Sequence, residues 1–291
     1  MTWRTVIVRE RAKLDYSLNF MTVRKEAEMR KISLSEIYMV IVESTAVSLT
    51  AVLLNELVKN KIKVVFCDEK RTPSSELLPY YGSHDTSLKY KYQLDWTEEF
   101  KQRVWTRIVY EKIYNQMLLL KKLNKDEYKL LEQYLNEIEW NDNSNREGHA
   151  AKVYFNALFG LDFSRNKECF VNAALDYGYS IILSAFNREI VSCGYFTQLG
   201  LCHKNPFNKF NLASDFMEPF RILVDEEVYN LEQSEFSKEH KNILINILNK
   251  TVTIDDKQQT VANAIKIYCR SLFTGLKEED LEYIKMYKYE L

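Results

Sequence analysis

The chain has 291 residues, of which 46% are hydrophobic, so it is long enough to bury the cores of two ordinary domains. Its 40 Lys and Arg residues nearly balance 41 Asp and Glu residues, and a net charge of −1 excludes a global attraction to nucleic acid or anionic membranes. The cysteines are scattered and include no C-x-x-C pair, which argues against a disulfide framework or a zinc site. The sequence has neither the apolar core of a signal peptide nor an apolar run that could span a bilayer, so we expect a cytoplasmic protein with no membrane partner.

Residues 1–83 are predicted to form a small β-rich, sandwich-like domain with one or two helices. The runs at 13–20, 37–42 and 62–67 have the alternation or the β-branched content of strands. Between the last two, residues 48–59 have the apolar spacing of a short amphipathic helix. The segment 71–83 is rich in proline and glycine and is predicted to be a linker.

Residues 84–291 are predicted to form a larger all-α domain. A long helix opens at Asp95 or Glu98, and its basic residues lie mostly away from the apolar face: Lys101, Arg103, Arg107, Lys112, Lys121 and Lys122. A solvated face is favoured over a DNA-binding stripe on this helix. The candidates for DNA binding are Arg103 and Arg107 on the helix, and Lys204 next to His203. Further helices are predicted at about 126–138, 146–159, 172–192, 214–231, 238–249, 258–273 and 278–286.

The segment Asn211 to Arg221 brings carboxylates and a guanidinium into an apolar stretch downstream of His203. Asp215 and Glu218 are three residues apart and would share one helix face, as ligands of a divalent cation could. The same Asp-x-x-Glu spacing is also a capping box. The residues alone favour capping over catalysis.

A second ambiguous pair lies at Ser144 and Glu147, which form another candidate capping box before a helix that ends at Gly160. His149 is two residues from Glu147 and falls on another side of that helix. We interpret His149 as a packing or supporting residue rather than a ligand.

Several segments, in their order and spacing, resemble the CRISPR-associated integrase, the larger protein of the spacer-adaptation module, and most closely its type II-A branch. In the C-terminal part they are SNREGHAA at 144–151, YFN at 154–156 with LFG at 158–160, LDYGY at 175–179, and His203 with NLASDFMEPFR at 211–221. In the N-terminal part they are WRTV at 3–6, LSEI at 34–37, FCD at 66–68 and YYGSHD at 80–85.

The resemblance implies that Glu147, His203 and Glu218 are catalytic residues that bind Mn²⁺ or Mg²⁺. Asp215 would support the ligands, and Arg221 would hold Glu218 or a phosphate. The implied reaction is attack by the 3′-hydroxyl of a short DNA fragment on a phosphodiester of the CRISPR repeat. The residues do not exclude a metal-dependent DNA or RNA endonuclease that uses water, or a nonenzymatic nucleic-acid scaffold in which both glutamates only cap helices.

The implied partners are DNA, as prespacer duplex and CRISPR repeat, and a second copy of the chain that pairs through the β-rich domain. Two such dimers would flank a dimer of a small ferredoxin-like adaptation protein in a heterohexamer. The type II-A resemblance also suggests the RNA-guided effector and a ring-shaped protein that binds duplex ends.

Overall fold

The computed structural model describes residues 4–26, 28–80, 82–232 and 235–289. The chain divides into two compact units, Met1–His84 and Asp85–Leu291. The predicted fold class is confirmed, because the first unit is built mainly from strands and the second mainly from helices. Trp3 and Tyr81, which belong to two of the N-terminal motifs, lie outside the described residues. Within the described ranges, every helix is too short or too polar to span a bilayer.

In its described residues the N-terminal unit contains two four-stranded sheets, one α-helix and a 3₁₀ turn at Leu34–Glu36. Its elements are β1 (Arg4–Val8), β2 (Ala12–Ser17), β3 (Phe20–Arg24), β4 (Met29–Ser33), β5 (Ile37–Val42), β6 (Val47–Leu49), α1 (Ala51–Lys59), β7 (Lys63–Cys67) and β8 (Pro73–Leu77). The sheet orders are β1-β5-β7-β8 and β4-β3-β2-β6. Strand β5 has parallel neighbours on both sides and is buried along its whole length, which explains its uninterrupted apolar sequence.

Two N-terminal predictions are wrong. The alternating run at 13–20 is not one strand, because Leu18 and Asn19 have φ values of 49° and 64° and turn the chain between β2 and β3. Two consecutive residues with positive φ suit a two-residue hairpin loop. The predicted linker at 71–83 contains strand β8, which pairs antiparallel with β7 and so belongs to the sheet despite starting at a proline.

The C-terminal unit is mostly helical but also holds a small sheet of order β10-β9-β11. Its helices are α2 (Thr86–Asp95), α3 (Glu98–Lys122), α4 (Tyr128–Asn136), α5 (Arg146–Phe159), α6 (Phe170–Ser192), α7 (Asn211–Met217), α8 (Ile222–Asn230), α9 (Lys238–Asn246) and α10 (Val261–Glu278). Its strands are β9 (Thr251–Ile254), β10 (Lys257–Thr260) and β11 (Tyr287–Lys288).

Three predicted helices differ from the structure. The single helix expected at 214–231 is interrupted by a 3₁₀ turn, Glu218–Phe220, between α7 and α8. The start expected at 258 falls in strand β10, and α10 begins only after Thr260, whose side chain accepts a hydrogen bond from the Asn263 backbone N–H. No helix covers 278–286, where the described chain forms a 3₁₀ turn and then pairs with β9 as β11.

Helices α6 and α8 approach each other closely at Gly178. A Cβ atom at that position would lie closer than 3.0 Å to a methyl carbon of Val224. Glycine is therefore required there by the contact between the two helices. This contact brings α8 beside the next residue of α6, Tyr179, and so helps to build the site described below.

Candidate functional site

A buried lysine lies between the two glutamates that the sequence singles out. Lys112 is in the middle of α3, Glu147 is in the first turn of α5, and Glu218 begins the 3₁₀ turn after α7. Lys112 Nζ forms an ion pair with Glu147 Oε1 and lies 2.6 Å from Glu218 Oε2. Lys112 is only 8% exposed, so its assignment to a solvated helix face is wrong. One ammonium group thus holds two carboxylates from different helices at a single point.

Glu218 is buried, 5% exposed, and also pairs with Arg221. Arg221 Nε donates a hydrogen bond to Glu218 Oε1 over 2.9 Å. Burial alone would raise the pKa of Glu218, but the charges of Arg221 and Lys112 outweigh it and lower that pKa to about 2. Both carboxylate oxygens of Glu218 thus face a cation, Oε1 facing Arg221 and Oε2 facing Lys112. Glu218 is therefore an anion at neutral pH.

Asp215 anchors the loop that carries His203. It is fully buried, and its carboxylate accepts hydrogen bonds from the backbone N–H groups of Leu201, Cys202 and His203 at 2.6, 3.1 and 3.2 Å. The same carboxylate contacts His203 Nδ1. The interpretation of Asp215 as the cap of its own helix is wrong, because it lies inside α7 and binds a loop that precedes that helix.

The contact with Asp215 fixes the tautomer of His203. A carboxylate can only accept, so Nδ1 carries the proton and Nε2 is left to bind a ligand. Histidine ligands of metals are commonly held in this way by a carboxylate on the other nitrogen. The hydrogen bond to Asp215 raises the pKa of His203, burial opposes it, and the charges of Glu218 and Glu147 add to the rise. Asp215 and both glutamates therefore favour the protonated form of His203.

Glu147 does not serve as the predicted capping partner of Ser144. The Ser144 hydroxyl donates to the Glu137 carbonyl over 3.2 Å. The carboxylate of Asp142 instead accepts from the backbone N–H groups of Arg146 and Glu147, at 2.8 and 3.1 Å. Sequence reasoning missed Asp142, although an aspartate before a helix start is a capping signal. Because Asp142 satisfies the helix terminus, the Glu147 side chain is directed to Lys112.

A third buried carboxylate, Asp225, supports the position of Arg221, and sequence reasoning also missed it. Asp225 of α8 accepts a hydrogen bond from the Tyr154 hydroxyl over 2.9 Å and another from the Tyr179 hydroxyl. The guanidinium of Arg221 lies 4.7 Å above the centre of the Tyr179 ring. Asp225 thus holds Tyr179, Tyr179 stacks on Arg221, and Arg221 orients Glu218.

The other candidates from the sequence have contacts with residues outside the Lys112, Glu147 and Glu218 cluster. His149 is exposed, with Nδ1 3.4 Å from Arg146 and its ring 6.4 Å from that of Tyr134, and none of its described contacts is to Glu147. Arg107 is exposed and pairs with Glu111 over 2.6 Å, whereas exposed Arg103 lies against the ring of Phe100.

Beside His203 there is a cleft of about 460 Å³ with a basic and amide-rich lining. Its polar side chains are Gln93, Lys101, Gln198, His203, Lys204, Asn205, Asn208, Lys209 and Asn211. Lys204 is also 3.5 Å from Glu98. Lys101 also pairs with Glu98, over 2.5 Å, and the side-chain amides of Gln93 and Asn211 donate hydrogen bonds to backbone carbonyls. Ammonium and amide groups are donors to phosphate oxygens.

The donors at this site match a hard or borderline divalent cation in chemistry. Glu147 and Glu218 already share one cation, the Lys112 ammonium, and His203 keeps Nε2 for a ligand. Two carboxylates with an imidazole suit Mn²⁺ or Mg²⁺. In the described residues, however, no group of three His, Cys, Asp or Glu side chains is arranged to hold a metal ion. Glu147, Glu218 and His203 would have to reorient before all three could bind one ion.

The chain is similar to known proteins along nearly its whole length. Residues 5–253 match the family model described as CRISPR associated protein Cas1. The CRISPR-associated endonuclease Cas1 of Neisseria meningitidis serogroup C (strain 8013) is 32% identical over 292 residues, which cover 98% of this chain and 96% of that protein.

The solved structures that share the fold include a casposase and a Cas6-RT-Cas1–Cas2 complex. A casposase bound to its integration product has a TM-score of 0.77 at 20% identity, over 97% of this chain and 92% of that chain. A chain of a Cas6-RT-Cas1–Cas2 complex has a TM-score of 0.75 at 18% identity, over 97% of this chain and 36% of that chain. The similarity extends over both units described above.

Proposed function

Because the chain belongs to the Cas1 family of CRISPR-associated proteins, we propose that it is a divalent-metal-dependent DNA integrase of CRISPR adaptation. The proposed reaction joins the 3′-hydroxyl of a short DNA fragment to a phosphodiester of the CRISPR repeat. The observation that carries the proposal is the convergence of Glu147 and Glu218 on one buried cation, Lys112. His203, held by Asp215, is the third candidate ligand.

In this proposal Glu147, Glu218 and Nε2 of His203 hold Mn²⁺ or Mg²⁺. When bound, such an ion supplies Lewis-acid chemistry, which lowers the pKa of the attacking hydroxyl and neutralises charge that develops on the phosphate. Asp215 keeps His203 Nδ1 protonated and its ring oriented. Arg221 holds Glu218 in place, supported by the stacked ring of Tyr179.

The basic cleft beside His203 would bind the DNA backbone next to the reacting phosphodiester. One P–O bond forms to the incoming 3′-oxygen as one P–O bond to the leaving 3′-oxygen breaks, and the proton of the attacking hydroxyl passes to the leaving oxygen or to solvent. A phosphodiester replaces a phosphodiester, so no nucleoside triphosphate is required. Binding through local phosphate contacts predicts a strong dependence on salt concentration, even though the chain is nearly neutral.

We further propose that the chain acts as a homodimer with a small ferredoxin-like partner, in a heterohexamer of two such dimers and one partner dimer. Support comes from the shared fold with a chain of the Cas6-RT-Cas1–Cas2 complex. The mass of the complex in multi-angle light scattering, with and without the small adaptation protein, tests this stoichiometry.

A metal-dependent endonuclease with water as the nucleophile is the second candidate. The observation that favours it is the name of the Neisseria meningitidis relative, CRISPR-associated endonuclease Cas1. The scaffold alternative requires Glu147 and Glu218 to be helix caps. It loses support because Asp142 caps α5 and because Glu218 pairs with Lys112 and Arg221.

The test of the proposal is a strand-transfer assay with the full chain, the small partner, Mn²⁺ and a supercoiled plasmid that carries a repeat. The donor duplexes end in a free 3′-hydroxyl or in a 3′-deoxy terminus. We expect covalent joining to the plasmid only with the free 3′-hydroxyl, and loss of joining in Glu147→Gln, His203→Ala and Glu218→Gln. Glu132→Gln, an exposed change on α4, is the matched control and should keep activity.

Cleavage that ignores the 3′ terminus, with no joined product, would favour the endonuclease instead. Full strand transfer in both glutamate variants would show that these carboxylates are not part of the reaction. Lower thermal stability in both variants with unchanged Mn²⁺ binding would favour the scaffold.

A further inference from the structure

We infer that Lys112 and the divalent cation compete for the carboxylates of Glu147 and Glu218, so that metal binding has to displace the Lys112 ammonium. This inference rests on the proposed function, because it assigns these two glutamates as metal ligands. It adds to that function a residue of α3 that none of the metal-site motifs contains. The inference depends on the position of the Lys112 ammonium relative to the two carboxylates.

The Lys112 ammonium is at the point that both carboxylates reach. It pairs with Glu147 Oε1 and lies 2.6 Å from Glu218 Oε2, and these glutamates come from separate segments of the chain. A cation that binds both glutamates has to approach the same oxygens. Glu147 Oε1 accepts a hydrogen bond from Lys112, and Glu218 Oε2 forms an ion pair with the same ammonium. A dication that bound both carboxylates between them would therefore occupy the position that the ammonium now holds.

Lys112 could remain beside a bound metal ion only at a high electrostatic cost. Its side chain is 10% exposed, and Arg221 already supplies a second positive charge to Glu218 over 2.9 Å. A dication, the ammonium and the guanidinium would carry four positive charges, against two negative charges on the glutamates and one on Asp225, in a poorly solvated site. Coulomb repulsion in such surroundings is several times larger than in water. Withdrawal of Lys112 relieves it.

Two functional consequences follow. Without metal, Lys112 neutralises glutamates that would otherwise repel each other, so it stabilises the site as a surrogate cation. With metal, the same charge weakens binding, because the dication has to overcome the ion pairs that Lys112 already makes. Removing the charge should therefore lower the stability of the protein in a chelator and strengthen its affinity for metal.

The test uses the full chain and Mn²⁺ alone, titrated by calorimetry. Lys112→Met keeps the length and apolar stem of the side chain but loses its charge, and we expect it to bind Mn²⁺ about tenfold tighter or more. Lys122→Met is the matched control, because Lys122 is on the same helix and pairs over 3.1 Å with Glu226, which is not among the proposed ligands. Its affinity for Mn²⁺ should equal that of the wild type.

Thermal unfolding gives a second readout that does not depend on activity. In EDTA, Lys112→Met should unfold at a lower temperature than the wild type, and saturating Mn²⁺ should raise its unfolding temperature by more than it raises that of the wild type. Equal or weaker Mn²⁺ binding by Lys112→Met would overturn the inference and leave the metal site intact. Absence of Mn²⁺ binding by the wild type would overturn the metal site as well.

A measurement on the wild type decides the matter if Lys112→Met does not fold. Crystals grown in EDTA and crystals grown in Mn²⁺ are compared at Lys112. We expect Nζ to move beyond about 4 Å, the usual limit of an ion pair, from at least one of the two carboxylates when Mn²⁺ is bound. An ammonium that stays within that distance of both carboxylates beside bound Mn²⁺ would overturn the inference.

Discussion

Asp225 allows the clearest quantitative prediction, because a fully buried carboxyl group should make stability depend on pH in a known direction. It is 1% exposed, and its nearest polar partners are the hydroxyls of Tyr154 and Tyr179. Burial raises its pKa from 3.8 to about 6, although both tyrosine hydrogen bonds and the charges of Arg221 and Lys112 oppose the rise. Above this pH the protein therefore carries a buried charge that is costly.

The direction of the effect follows from proton binding in the two states. Between about pH 4 and pH 6 the folded protein keeps a proton on Asp225 that the unfolded chain has released. The contribution of Asp225 to the free energy of unfolding is therefore complete below about pH 4 and is lost as the pH rises through about 6. A pKa rise from 3.8 to about 6 corresponds to about 3 kcal/mol of unfolding free energy.

The perturbation is Asp225→Asn, which keeps the shape of the side chain and is neutral at every pH. We expect the free energy of unfolding of this variant, relative to the wild type, to increase by about 3 kcal/mol between pH 4 and pH 7. Asp162→Asn, an exposed change on the loop after α5, is the control for other carboxyl groups and should show no such trend.

The assay is urea unfolding followed by tryptophan fluorescence at pH 4, 5, 6 and 7. Trp96, Trp105 and Trp140 are in the C-terminal unit, which also holds Asp225, so the signal reports mainly on that unit. A relative free energy that stays constant within about 0.5 kcal/mol would refute the reasoning. A decrease with rising pH would show that the tyrosine hydrogen bonds outweigh burial.

Three further predictions concern positions where the backbone or a buried acid builds the site. Gly178→Ala should destabilise the C-terminal unit by about 1–3 kcal/mol in urea unfolding, because the added methyl meets Val224, and a change below about 0.5 kcal/mol would contradict it. Gly200→Ala places a Cβ closer than 3.0 Å to the His203 carbonyl oxygen and to Asp215 Oδ2. Strand transfer and Mn²⁺ affinity should therefore fall, while the helical circular-dichroism signal remains. An unchanged Mn²⁺ affinity would show that the loop adapts to the added methyl group. Asp215→Asn should weaken Mn²⁺ binding about 10-fold to 100-fold in calorimetry, because the His203 ring loses its charged acceptor, and wild-type affinity would show that Asp215 serves only the loop backbone.

The parts of the fold that local sequence determines were predictable. Helix α5 has the predicted bounds, because polar residues precede it and Gly160, with φ of 99°, ends it. Strand β8 and the final strand β11 were not predicted, because both depend on pairing with a distant strand that local propensity does not reveal. The turn at Leu18 was hidden by an alternating pattern that continues across it.

The same distinction applies to the candidate site. The order of Glu147, His203 and Glu218 identified the family, but neither helical periodicity nor charge pattern distinguishes Lys112 from the other lysines of α3. Its burial depends on helices that pack from outside α3. Asp225 was missed for the same reason, because its tyrosine partners come from α5 and α6. Residues that act through contacts between helices require the three-dimensional structure.

The 3₁₀ turn between α7 and α8 explains why Asp215 and Glu218, although three residues apart, contact different parts of the site. Pro219 lies in the 3₁₀ turn, and its carbonyl oxygen accepts hydrogen bonds from Asn115 Nδ2 at 3.1 Å and from the Tyr287 hydroxyl at 2.8 Å. Helix α3 and strand β11 thus satisfy a carbonyl in the turn that interrupts the helix. The Asp215 carboxylate contacts the His203 loop, whereas Glu218 meets Lys112 on α3. Asn115 is one turn along α3 from Lys112, so the hydrogen bond that holds the turn also keeps Glu218 beside the ammonium that we expect the metal ion to displace.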